Sequence, residues 1–171
     1  MDWYAIILRV IHIGTGTFWV GSAFVLFLFV QPSVKDLGPE GQRFMGHLAT
    51  RKRLPLMITL SGVVTVLAGL LLYWRASGGL DVDWITSGPG LGFTVGALAA
   101  IVTLALGLSI TKPAVDRIGA LGQEIASRGG QPTPEQGDEM RQLQARTVAV
   151  GRVTMVLLAI AVVGMAVARY L

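Results

Sequence analysis

The chain has 171 residues, 53% of them hydrophobic and 14% charged, with a mean hydropathy of +0.64. A soluble domain carries about 25% charged residues, so these figures exclude an ordinary soluble globule and indicate one integral membrane domain over residues 1–171. There is no cysteine, which excludes disulfides, thiolate metal sites and cysteine nucleophiles; the net charge of +4 comes without a basic stripe interleaved with aromatics, which argues against nucleic acid and assigns the basic residues to topology and anionic headgroups.

The first apolar block runs from about residue 4 to 30 and is expected to end at "QP", Gln31 and Pro32. It follows "MDWYAIILRV", which lacks a basic leader, and no small-residue cleavage site follows, so it reads as a retained span. The second block, about 54–74, opens after "RKRLP". The third, about 91–110, stops before "TKP", and the fourth covers about 148–168. Each is long enough to cross about 30 Å of hydrocarbon. Backbone groups in lipid must be satisfied within the segment, so each is a helix. The expected fold is an all-α, antiparallel bundle of four transmembrane helices.

Between the third and fourth blocks, Val115, Ile118, Leu121 and Ile125 recur at helical spacing. "RGGQPTP" is a turn signal. In "TPEQ", Thr133 is placed as N-cap, Pro134 as first helical residue and Gln136 to close a capping box. Spans three and four are therefore expected to extend as a helical hairpin over about 111–147, projecting by roughly 24 Å for sixteen helical residues. It is either a self-packed stalk or a docking arm for a partner.

Basic residues set the orientation. Lys35, Arg43, Arg51, Lys52 and Arg53 lie between spans one and two; Lys112, Arg117, Arg128, Arg141, Arg146 and Arg152 lie between spans three and four and at the foot of span four. The opposite side has Arg75 and Arg169. This asymmetry places the long loops in the cytoplasm and both termini outside. Trp3, Tyr4, Trp74, Trp84 and Tyr170 fall at the outer level as an aromatic belt.

Small and polar residues gather in stripes that suit helix packing. Span one carries His12, Thr15, Gly16, Trp19, Ser22 and Ala23, while Val10, Ile13, Val20, Phe24 and Phe27 are expected to face lipid. Span two carries Ser61, Thr65 and Gly69; span three Gly92, Gly96 and Ala100; span four Gly151, Thr154, Ala161 and Ala168.

His12 lies nine residues from Trp3, roughly 13 Å below the outer surface by helix rise. An imidazole there needs a polar partner, and an intramembrane ionisable group is a functional candidate. It is also a common axial ligand for haem iron and a ligand for copper. Arg9, one turn nearer water, is either an interfacial anchor or a cation facing an anionic group such as a porphyrin propionate. No other span contains a histidine, and His47 reads as a solvated loop residue. Met165 falls at a depth similar to His12, so a His–Met pair, five-coordinate haem and a His12 pair across a homodimer all remain open. Asp81 and Asp83 in "DVDW" read as solvated loop carboxylates.

"IHIGTGTFWVG", then Pro32, "RKR" and the "VLAGLLL" of span two resemble a group of small bacterial membrane proteins. It includes the CopD-like copper-resistance membrane domain, the HemJ-type protoporphyrinogen oxidases and a family of integral membrane proteins of unknown function. His12, Trp19, Gly21 and Pro32 follow that group's order over residues 1 to 75. The usual glycine pair is Gly21–Ser22 here, and Ala68 replaces a threonine. The HemJ-like resemblance implies a haem or porphyrin role in a bacterial cytoplasmic membrane, with haem b on His12; the CopD-like one implies copper on the same residue. The site expected is His12, Arg9, Trp19 and Met165. A glycine-rich phosphate loop, a nucleophile elbow and an HExxH motif are all missing. The leading reading is a redox or porphyrin-binding membrane protein; the rivals are a copper-handling domain and a non-enzymatic accessory subunit contacting a larger complex through the hairpin.

Overall fold

The computed structural model describes residues 2–171, and these form six helices with no strand. Four are long and apolar enough to cross a membrane: α1 (Trp3–Asp36), α3 (Leu54–Ala76), α5 (Gly88–Ser127) and α6 (Pro134–Tyr170). Two are short: α2 (Pro39–Thr50) folds back at the end of α1, and α4 (Val82–Thr86) precedes α5. At about 1.5 Å per residue, α1, α5 and α6 are each longer than a hydrocarbon core is thick, so part of each projects beyond it.

The expected stop at Gln31–Pro32 is corrected. The helix continues to Asp36, because Leu26–Val30 open into one π turn and Pro32 then falls in the first turn of resumed α-helix. The wider turn accommodates a residue that offers no N–H and would clash with a carbonyl four residues back. α5 repeats the device at the same offset, with a π turn at Gly107–Thr111 ahead of Pro113.

α1 packs along α3, and α5 along α6. In the first pair, His12 lies against Gly69, Gly16 against Thr65 and Trp19 against Gly62, so numbers rise on one helix as they fall on the other. In the second, Gly92 faces Ala168, Gly96 faces Met165, and the register runs on through Gly164. α3 also touches α5, which joins the pairs. Trp19, 7% exposed, reaches the centre with Ala99, Ala100, Leu158 and Ala161. Val10 and Ile13, by contrast, are 67% and 63% exposed on the apolar exterior. The expectation that Val20, Phe24 and Phe27 also face outward is corrected: Val20 and Phe24 pack on the central cluster, and the Phe27 ring covers Gly151 of α6. α1 therefore presents two packed faces, one to α3 and one to the second pair.

Below the apolar segments, α5 and α6 continue side by side, with Leu121 fully buried between them. Arg117 donates from Nε and Nη2 to the two carboxylate oxygens of Glu139, at 2.6 and 2.9 Å, and from Nη1 to Glu124 at 3.0 Å. Gly129 and Gly130 make the turn at φ +95° and +84°. The capping box expected at Thr133 and Gln136 is present, and Glu135 in that first turn is held below its usual carboxyl range by backbone and Thr133 hydrogen bonds. At the opposite end, Tyr73 and Thr94 share a 2.6 Å hydrogen bond beside Trp84, and Asp81 accepts from the Trp84 amide, so "DVDW" supplies a helix cap.

Candidate functional site: the seam between α1 and α3

One face of α1 carries Asp2, Arg9, His12, Thr15, Gly16 and Trp19, and α3 answers with Arg75, Leu72, Gly69, Thr65 and Gly62. The seam is polar for most of its length. His12 Nδ1 lies 2.8 Å from the Thr65 carbonyl oxygen. A carbonyl only accepts, so Nδ1 carries the proton and Nε2 of the neutral ring holds the free lone pair. The ring is seated by a missing side chain: a Cβ on Gly69 would stand 2.8 Å from His12 Cε1 and 3.0 Å from Nδ1.

Thr65 completes the setting. Its hydroxyl donates to the Ser61 carbonyl at 2.7 Å and lies 2.8 Å from the Thr15 hydroxyl, which also reaches the Ile11 carbonyl. Interhelical bonds of this kind are worth about 0.6 kcal/mol each in membrane proteins, so they orient the histidine's support more than they hold the helices together. The imidazole thus sits half-buried in a protein seam, with one nitrogen fixed and the other unspent.

Arg9 lies one turn from His12 and lines a groove of about 390 Å³ between the N-terminal end of α1 and the C-terminal end of α3. Ala5, Ile6, Leu72 and Ala76 wall it; Asp2, Arg9 and Arg75 carry its charge. Arg75 forms an ion pair with Asp2, and Arg9 makes none among the described residues. The groove holds two guanidiniums against one carboxylate.

The other two expected site residues lie elsewhere. Trp19 is on the His12 stripe but two turns deeper, where its ring covers Gly62. Met165 rests on Gly96, in the seam between α5 and α6, filling the space of an absent side chain. His12 and Arg9 are thus gathered at one seam, and Met165 belongs to another. Sequence reading missed the Thr65 carbonyl, the Gly69 seat, Arg75 and Asp2. The four-residue steps Ser61–Thr65–Gly69 were the one signal of the first two; the last pair is brought together only by helix register. Set against protein-family models, curated proteins and solved structures, the chain matches none.

Proposed function

We propose that this chain is a protein of four antiparallel transmembrane helices in a bacterial cytoplasmic membrane, with the α5–α6 hairpin in the cytoplasm, that binds haem or a related porphyrin through His12 in a redox role. The observation that carries this reading is the His12 Nδ1–H bond to the Thr65 carbonyl, which leaves Nε2 free. Histidines that ligate metals commonly give their other N–H to a carbonyl or carboxylate in this way. The donor inventory favours porphyrin over bare copper. Among the described residues no three His, Cys, Asp or Glu side chains gather to hold a bare ion, whereas a porphyrin brings four nitrogens and asks the protein for one axial ligand.

Fit with the surroundings supports the same choice. His12 would supply the axial nitrogen from the seam one turn below the groove, whose Arg9 would offer a cation to a propionate and whose Ile6 and Leu72 an apolar wall. Bound haem would supply a one-electron centre; the protein's part is to hold and orient it. The group resemblance carried by His12, Trp19, Gly21 and Pro32 points the same way, and the concentration of basic residues in the two long loops supports the orientation.

A visible spectrum of the purified, haem-supplied chain tests the reading. A Soret band that His12→Ala removes and Met165→Leu leaves in place is the expected result. A band indifferent to His12→Ala overturns it. A colourless chain retaining stoichiometric copper makes it a copper-handling domain, and a colourless, metal-free chain recovered with a larger complex makes it an accessory subunit.

A further inference from the structure

The groove above His12 holds a charge arrangement that ligation by the imidazole does not require. We infer that it is an anion site for the acidic head of an amphiphilic ligand, with Asp2 as a resident carboxylate that the ligand displaces from Arg75. Where the ligand is the porphyrin of the preceding reading, on which this inference then rests, the head is its propionate edge.

Three observations carry it. First, the charge is unbalanced: Arg9 and Arg75 face one groove with one carboxylate, and a guanidinium fork matches a carboxylate in two-point geometry. Second, the resident pair is exchangeable. The Arg75 and Asp2 side chains are 52% and 42% exposed, and ion pairs so exposed are weak. Asp2 also holds its other oxygen, Oδ1, on the Ala5 amide as the α1 cap, so it can release Arg75 without unravelling the helix. Third, the walls are apolar. Ala5 and Ile6 face Leu72 and Ala76, so an apolar body attached to a charged head would lie against these groove walls. A headgroup phosphate shares this chemistry with a propionate.

The three charged residues give effects of opposite sign, which a loss of folding does not. The full-length chain in phosphatidylcholine nanodiscs is titrated with iron protoporphyrin IX and with its dimethyl ester, which has the same ring without acid groups. Arg9→Gln and Arg75→Gln are expected to weaken binding of the free acid by about tenfold each, from loss of a charge-assisted bond. Asp2→Asn retains a capping oxygen, removes the competitor, and tightens binding severalfold. The ester is indifferent to all three.

Free acid and ester binding alike, with Soret bands that His12→Ala abolishes, overturns the anion site and leaves the axial histidine standing. Arginine-dependent binding that survives His12→Ala does the reverse. Porphyrin binding indifferent to the arginines, together with arginine-dependent retention of phosphatidylglycerol in native mass spectra, assigns the anion to a lipid phosphate. No arginine-dependent binding of porphyrin or phosphatidylglycerol overturns the inference.

Discussion

The two long helix pairs both use glycine to approach closely, but for different neighbours. Between α5 and α6 the space goes mostly to main chain: a Cβ on Gly92 would stand 2.9 Å from Ala168 Cα, and one on Gly164 would stand 3.1 Å from the Gly92 carbonyl oxygen, while Gly96 admits both the Ala161 carbonyl and the flexible Met165 side chain. Between α1 and α3 it goes to rings: Gly69 receives the His12 imidazole and Gly62 the Trp19 indole. A stripe of small residues therefore has two uses. In one pair it lets backbones touch and gains dispersion contact. In the other it makes a recess for a large side chain that carries a chemical handle. The α5–α6 pair is a clamp; the α1–α3 pair is a holder.

The comparison predicts unequal responses to one added methyl group. Gly92→Ala has the largest expected effect on stability. Its Cβ meets main chain of α6, which cannot rotate aside, so the helices must separate. Overpacking of this kind costs on the order of 2–3 kcal/mol, read as a clear fall in melting temperature in detergent. An unchanged melting temperature would break the idea that these backbones are in contact.

Gly69→Ala meets the edge of a side chain instead, and the imidazole can swing. We expect a smaller loss, about 1–2 kcal/mol, with a disproportionate effect on the site: displaced from the Thr65 carbonyl, His12 loses its fixed tautomer and, on the proposed reading, the Soret band it would give. The double variant His12→Ala/Gly69→Ala sharpens the point. Removing the ring removes the clash, so the double variant should melt above the sum of the two single losses. Strict additivity would place the ring somewhere other than on Gly69.

Much of this architecture could be read from the sequence, because its signals are local. Four apolar blocks gave four long helices, "TPEQ" gave a capping box, and the glycine pair in "RGGQPTP" gave a turn. The stripes of α1, α3 and α5 also fell on the faces that pack. What could not be read depends on partners distant in the chain. Asp2 and Arg75 meet only because residues 12 and 69 are in register, and no spacing rule links positions so far apart. The lipid-facing assignment of Val20, Phe24 and Phe27 failed because a single-stripe reading allows α1 one neighbouring helix, whereas it has two. Pro32 was misread for another reason. A proline ends a regular α-helix, but one π turn ahead of it lets the helix pass, and "LFLFVQP" and "GLSITKP" share that spacing.

The contrast between holder and clamp extends beyond the apolar segments, where the second pair is held by charge. Arg117 donates two hydrogen bonds to Glu139, which keeps the Glu139 carboxyl below its ordinary range, and the same contacts raise the Arg117 guanidinium further above neutrality. Only Glu139 titrates in an accessible range. A carboxyl with a depressed folded-state pKa contributes stability above its unfolded value, near pH 4, and that contribution disappears as pH falls through the folded value. Both side chains are about two-fifths exposed, so the effect is the smallest of those considered. Spin labels at Gly122 and Gly137 would report it. The two helices should hold one narrow separation at pH 7 and a broader one once acid titration has protonated Glu139, and Glu139→Gln should give the broad distribution throughout. A distribution unaffected by acid would mean that Leu121 and its apolar neighbours hold the hairpin without the ion pair, making this lower clamp a matter of packing, like the glycine seam above it.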